Sequence, residues 1–339
     1  MTNEFLQMAI VYPNKSSERR NWIENARPKR NKMDPWHPYA WTKDKELTAD
    51  GRIVESGAIF LTNRECPWRC LMCDLWKNTL TESVPAGAIP EQIRFGLDRL
   101  GRVDEIKLYN SGSFFDHKAI PPDDYTEIAK LMAPFDRVIV ESHPSLIGDD
   151  CLRFRDLLDG ELEVAMGLET AHPEVLEKLN KGITLDSFRK AADFLSKNEI
   201  GLRVFILVRP PFMSEEEGFE WACRSLDFAD RAGASVSILI PTRGGNGAME
   251  LLREQGDFDP PKLHTLEKAL DYGINNISGR VFTDLWDLQQ FSDCPICFEK
   301  RKKRLEEMNM KQELHGYPEC GSCLYHEEKK TEYGRQKSE

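Results

Sequence analysis

The feature that most constrains this chain is a loop of three cysteines, Cys66-Pro-Trp-Arg-Cys70-Leu-Met-Cys73. It directly follows an apolar, β-branched run, Gly57-Ala-Ile-Phe-Leu-Thr62. A strand ending in three closely spaced thiols makes a compact soft-ligand claw. Thiolates favour iron–sulfur clusters, zinc or Cu(I) over hard cations. A four-iron cubane held by only three protein thiolates keeps one iron open for another ligand. A structural zinc would need a fourth ligand nearby. The nearest available are Asp74 and the distant His37, and neither completes a familiar knuckle.

The other cysteines extend the theme. The N-terminus, Met1-Thr-Asn-Glu-Phe-Leu-Gln, lacks the basic start and apolar segment of a signal peptide. The expectation is a cytoplasmic protein whose nine cysteines serve metals rather than disulfides. Cys151 and Cys223 stand alone in helical contexts and read as buried small apolar residues. Cys294-Pro-Ile-Cys297 and Cys320-Gly-Ser-Cys323 form a paired CxxC arrangement with 22 residues between the pairs. Four such thiolates suit a structural zinc ribbon; a second iron–sulfur cluster with four cysteine ligands is the rival.

The formal net charge of −11 argues against a surface coated for nucleic acid. Two local basic runs stand out: Arg19-Arg20 followed by Arg27-Pro-Lys29-Arg30-Asn-Lys32, and Lys300-Arg301-Lys302-Lys303-Arg304. The second lies in a charged helical stretch, 299–314, beside the paired cysteines, where it could grip a phosphate backbone. No apolar run approaches the ~20 residues needed to cross a bilayer, so no membrane contact is expected.

From residue 55 apolar strands alternate with amphipathic helices, the pattern of a parallel sheet covered by helices. Strands are expected at 57–62, 104–110, 137–142, 161–168, 202–208 and 234–240, with helices near 90–101, 122–133, 149–158, 173–179, 185–198 and 215–232. Gly101, Gly160, Gly201 and Gly233 mark helix ends, and Asp123, Thr184 and Ser214 mark N-caps. Six such units make a partial, open parallel β/α barrel. Residues 1–54 would be an extension whose aromatic segment, Pro35-Trp-His-Pro-Tyr-Ala-Trp41, docks on the core. Residues 55–250 would form the barrel, 251–326 a C-terminal metal-binding region, and 327–339 a disordered tail.

In β/α barrels function gathers at the C-terminal ends of the strands. Those ends carry the cysteine loop, Asn110-Ser111-Gly112-Ser113, Glu141-Ser-His143, Glu169 with Asn180-Lys-Gly182, Arg209-Pro-Pro-Phe212, and Pro241-Thr-Arg-Gly-Gly-Asn-Gly247. Gly112 lets backbone approach a ligand closely. Glu141 and Glu169 follow buried-type runs, where a carboxylate needs a partner. Arg203 and Arg209 flank an apolar strand; an inward arginine would pair with a carboxylate or phosphate. His143 is either a proton-handling group or a hydrogen-bonded structural histidine.

The three-cysteine spacing resembles the signature of the radical S-adenosylmethionine (SAM) superfamily. That resemblance implies a 4Fe-4S cluster on Cys66, Cys70 and Cys73, with SAM as the ligand of the open iron. It implies reductive cleavage of SAM, and hydrogen abstraction from a substrate by the resulting 5′-deoxyadenosyl radical. The segment Asn110–Ser113 would receive the SAM amino group, and Glu141, Glu169 and Arg203 would hold cofactor or substrate. A one-electron donor such as flavodoxin or ferredoxin is implied as partner. Met72 stands where the superfamily often has an aromatic residue.

Asn110-Ser-Gly-Ser-Phe-Phe-Asp116, Val140-Glu-Ser-His-Pro144, Gly167-Leu-Glu-Thr170 with Asn180-Lys-Gly182, and Val208-Arg-Pro-Pro-Phe212 occur in order. Together they look like the archaeosine-synthase radical SAM subunit family, related to the Elongator catalytic subunit. That resemblance spans roughly 55–260 and implies modification of a 7-deazaguanine base in tRNA. The segment 240–249 departs from the family pattern, which leaves a small-molecule or peptide substrate as the alternative. Two further readings stand beside it: a zinc-dependent nucleic-acid-binding module, and a relative that binds a cluster without turnover.

Overall fold

A computed structural model describes residues 11–323. The stretch 327–339, read as a disordered tail, lies outside them. Eight strands form one sheet in sequence order: β1 (Ala40–Leu47), β2 (Ile53–Phe60), β3 (Glu105–Tyr109), β4 (Arg137–Glu141), β5 (Glu161–Glu169), β6 (Gly201–Val208), β7 (Val236–Pro241) and β8 (Arg280–Thr283). β1 is antiparallel to β2, and every other pairing is parallel. The six expected strands are β2–β7.

The expected helices cover the outer face as α2 (Ala88–Leu100), α3 (Tyr125–Met132), α4 (Asp149–Arg155), α5 (Pro173–Lys178), α6 (Leu185–Lys197) and α7 (Glu215–Arg231). Further elements are α1 (Ser16–Ala26) at the front, then α8 (Ala248–Gln255), α9 (Leu263–Asn276) and α10 (Phe298–Lys311) behind. No helix among the described residues is long and apolar enough to cross a membrane.

Sequence explains most boundaries. Thr184 with Ser187 and Ser214 with Glu217 form reciprocal capping boxes that start α6 and α7. Asp123 is not a cap: it lies inside a short 3₁₀ turn, and its neighbour Asp124 precedes α3. Gly160 immediately precedes β5 and Gly201 opens β6, so neither ends a helix. On α2, Ile89, Ile93, Gly96 and Leu100 recur at helical spacing and are buried. Gly96 sits so close to β2 that a Cβ there would lie 2.7 Å from Ile59.

The main core lies between the sheet's outer face and these helices, with Ile59, Ile93, Leu108, Val140, Val164, Val204 and Leu226 all at 0% exposure. The inner face at the N-terminal side is charged instead. Arg203 donates to Glu163 and to both oxygens of Glu46, and Lys107 donates to Glu46 at 2.5 Å. Burial opposes the Glu46 charge, but Arg203 and Lys107 hold its carboxyl well below the usual range.

The open seam of the barrel lies between β1 and β8. Helix α10 packs against both strands. Asn309 pairs with both the N–H and the C=O of Thr283, at 2.9 Å each. Gln312 does the same for Val281, at 2.7 and 2.8 Å. Two side-chain amides thus substitute for a ninth strand along the β8 edge, which would otherwise be open to another chain.

Candidate functional site

A cavity of about 380 Å³ opens at the C-terminal ends of the strands. Cys66, Cys70, Cys73, Ser111, Gly112, Glu141 and Glu169 line it together, from four different strand ends. Two predicted residues lie just behind the wall. Ser113 shares a hydrogen bond with the Ser142 hydroxyl at 2.8 Å. Asn110 is fully buried, and neither atom of its amide has a hydrogen-bond partner. Arg203 is not brought to the cavity, because Glu46 and Glu163 hold it in the barrel interior. Arg209 turns toward Glu215, at 2.7 Å.

The cysteine loop is clamped from three directions. Leu71, 0% exposed, inserts into a small core with Trp22 and Ile23 of α1 and Met249 and Leu252 of α8. Its N–H donates to Leu179 O at 2.9 Å, and the Asn180 amide donates to Arg69 O at 2.7 Å. From the β7 loop, Asn246 Nδ2 donates to Leu71 O at 2.7 Å and Cys73 O at 3.2 Å. Asn246 and Lys181 stand in the strand-end motifs, but the sequence by itself assigns them no role. Their partners lie more than a hundred residues away in the chain, or on a strand bulge, so no local pattern announces them.

The polar groups of the wall are ordered. Glu141 Oε1 accepts from the N–H groups of Asn110 and Gly112. Burial pushes its carboxyl up, against those amides. Lys181 Nζ lies 2.7 Å from Glu169 Oε1. Burial opposes the Lys181 charge, but the Glu169 carboxylate outweighs it and holds the ammonium above its usual range. His143 stacks on Trp68 at 3.6 Å and 10°. Its Nε2 meets Lys181 O at 3.0 Å, and its Nδ1 accepts from the Ser145 N–H. Burial and the Lys181 cation push it down to about 3. His143 is therefore a neutral, fully hydrogen-bonded support, with no free nitrogen for proton transfer.

Burial pushes the thiols of Cys66, Cys70 and Cys73 up to about 12. Three half-buried thiols whose neutral form is favoured fit a cationic cluster, whose charge would permit their ionisation. The unpartnered Asn110 amide beside them fits a polar ligand at the same mouth. The donor set therefore suits a three-thiolate cluster with one open position.

The first basic run serves this loop. Arg27, Arg30 and Arg69 all pair with Glu65, and Arg27 stacks 4.5 Å from the Trp76 ring. The second run divides. Arg301 binds the buried Glu267 at 2.7 Å and Arg304 binds Asp271 at 2.5 Å, while Lys302 and Lys303 stay on the outer face. Phosphate gripping by the second run as a whole is corrected by these acidic partners.

The four C-terminal cysteines converge. Cys294 and Cys320 sulfurs lie 3.8 Å apart, Cys297 and Cys323 lie 3.6 Å apart, and all four fall within 4.8 Å of one another. Cys297 directly precedes α10. The chain then doubles back along that helix, where Arg304 sits 3.9 Å over Tyr317 and donates to His315 O at 2.8 Å. This return brings Cys320 and Cys323 to the first pair. The group can bind a metal.

No protein-family model matches the chain. An uncharacterized protein from Methanocaldococcus jannaschii is 28% identical over 259 residues, covering 71% of either chain. Archaeosine synthase subunit beta from Methanosarcina acetivorans is 27% identical over 235 residues, covering 65% of this chain and 67% of its own length. Among solved structures, the Elp3 protein of Methanocaldococcus infernus lacking its N-terminus is similar at 14% identity with a TM-score of 0.47. That match covers 65% of this chain and 59% of the Elp3 chain.

Proposed function

We propose that this chain, related to the radical SAM superfamily, is an enzyme that binds a 4Fe-4S cluster through Cys66, Cys70 and Cys73 and works on S-adenosylmethionine. The observation that carries the reading is the meeting of three half-buried thiols with four other strand-end residues around one cavity. When bound, the cluster would supply the one-electron chemistry that cleaves SAM. The chain's own residues supply position and exclusion. Glu141 fixes the Asn110–Gly112 turn against the mouth, and Tyr39 pins Ser111 at 2.9 Å. Trp68 stacks on neutral His143, which braces the loop at that side.

The substrate we favour is a tRNA base, modified in the manner of archaeosine synthesis. The support is the similarity to an archaeosine synthase subunit beta and the order of strand-end motifs. A cytoplasmic setting and a flavodoxin- or ferredoxin-like electron donor belong to the same reading.

The C-terminal cysteines we assign to a single zinc rather than a second cluster. Tetrahedral bonds of ~2.3 Å set ligand sulfurs ~3.8 Å apart; two pairs lie at 3.6 and 3.8 Å and all four sulfurs within 4.8 Å of one another. A four-iron cubane carries each thiolate on its own iron and spreads them farther.

Anaerobic reconstitution followed by SAM and dithionite tests the enzyme reading. 5′-Deoxyadenosine is expected from the wild type and none from Cys70→Ala; protein that binds zinc alone at the loop would defeat it. The substrate is tested by nucleoside mass spectrometry of tRNA from cells lacking the protein. One modified nucleoside should be missing or replaced by a precursor, and an unchanged profile would point to a small molecule or peptide.

A further inference from the structure

We infer that Tyr109 and Phe205 form the substrate-contacting floor of the cavity, which takes a flat heteroaromatic ring and offers it the Tyr109 hydroxyl. The inference rests on the reading of the cavity just given. It starts from a layer of apolar side chains that the barrel leaves unpacked. Along β2, β3, β6 and β7 the outward residues Ile59, Leu108, Ile206 and Leu239 are at 0% exposure. Their inward neighbours Phe60, Tyr109, Phe205 and Ile240 are only half-buried and line the cavity. A closed β/α barrel fills that space with its own side chains. Here it is left open, in the mostly apolar setting that small-molecule sites use.

The floor is built across the lumen. Tyr109 and Phe205 meet edge to face with ring centres 6.2 Å apart, although β4 and β5 lie between their strands in the sheet. The β5 residues lining the cavity at this level, Ala165 and Gly167, carry no bulk to hold the two rings apart. Phe60, which pairs in register with Tyr109, props that ring from the other side at 5.9 Å. Two residues earlier on the same strands stand Lys107 and Arg203, both bound to Glu46. The aromatic pair therefore roofs the buried charges and floors the cavity.

Most polar groups near the rings are already engaged. Tyr39 is tied to Ser111, Glu141 to the Asn110 and Gly112 amides, and Glu169 to Lys181. The Tyr109 hydroxyl has no hydrogen-bond partner among the described residues, and it is not sealed off by other side chains. An inward tyrosine usually finds such a partner. An aromatic floor bearing a free hydroxyl matches how an extruded base is read, by stacking and by hydrogen bonds to its edge. A ring lying there would share one cavity with Cys66, Cys70 and Cys73.

The test is a ligand-observed NMR titration of the full-length reconstituted protein, with excess SAM and no reductant. Guanosine is the ring-bearing probe and ribose its ring-free control. Guanosine should bind and ribose should not. Phe205→Leu and Tyr109→Leu should weaken guanosine binding by about tenfold or more. Tyr109→Phe, which keeps the ring, should weaken it by about three- to tenfold. Guanosine that wild type does not bind, or that Phe205→Leu and Tyr109→Phe bind as wild type does, overturns the inference. Should the leucine variants fail to fold, Tyr109→Phe decides alone. With tRNA from cells lacking the protein, reductant is added and the 5′-deoxyadenosine released per modified nucleoside is counted. That ratio should rise about three- to tenfold in Tyr109→Phe, because a loosely oriented substrate lets SAM be cleaved without product; an equal ratio overturns the role of the hydroxyl. Wild type that binds guanosine on this floor yet leaves the tRNA unmodified defeats the tRNA reading while supporting the floor.

Discussion

The two cysteine groups differ in what surrounds their sulfurs. Cys66, Cys70 and Cys73 face a cavity shared with residues from other strand ends. Cys294, Cys297, Cys320 and Cys323 face one another, within 4.8 Å. An open donor set leaves a coordination position for chemistry, whereas a closed set of four completes a structural ion. The residues that hold each group differ accordingly. The first loop is gripped by α1, the β5 loop and the β7 loop, so its shape outlasts the loss of any thiol. The second group joins the start of α10 to the chain that returns along it, beside the Arg304 contacts to Tyr317 and His315 O.

The largest test of that contrast is to remove one thiol from each. Cys297→Ser, or chelation, should destabilise the protein by several kcal/mol, because binding energy at a closed structural site is folding energy. Cys70→Ala should leave the thermal midpoint of metal-free protein near that of wild type while abolishing iron loading. Equal melting losses from the two variants would erase the distinction.

A smaller lesion follows the closed site down its helix. Asn309→Leu strips two hydrogen bonds from Thr283 and should cost about 1–3 kcal/mol in urea unfolding. Amide exchange at Thr283 should rise with it. If the closed site acts by seating α10, this loss and that of Cys297→Ser should be less than additive. Full additivity would separate the metal from the helix.

The smallest effect belongs to the open site and is read by pH. His143 is held neutral down to about 3 in the folded chain, while an unfolded histidine protonates near 6.5. Between those values the unfolded state binds more protons, so stability falls as pH falls. The slope is at most ~1.4 kcal/mol per pH unit. His143→Phe keeps a ring on Trp68 and should flatten the dependence of the urea midpoint between pH 5 and 7. An unchanged slope would mean that the histidine is not buried as described.

Much of this arrangement was legible in the chain. Six strands and their helices follow from apolar periodicity, and both cysteine groups from spacing. β1 was missed because Ala40–Leu47 carries four charged residues and reads as loop. Those charges are tolerated because one of them, Glu46, finds Arg203 and Lys107 across the barrel. β8 was missed because four residues carry too little period to detect. Arg203 was placed at the site because an arginine in an apolar strand demands a partner, and alternation cannot say which end of the barrel supplies it. The basic runs looked free because Glu65, Glu267 and Asp271 lie 33 to 38 residues away in sequence.

The pairing of Asn309 and Gln312 with the β8 edge has a consequence for how the molecule is made. β1 comes from near the start of the chain and α10 from near its end, and they meet at one seam, where Arg280 also donates to Leu47 O at 2.6 Å. During synthesis every strand leaves the ribosome before the helix that seals them. The nascent sheet therefore carries an unguarded edge until residue 312 has emerged, and that interval is when pairing between neighbouring chains on a polysome would compete with folding.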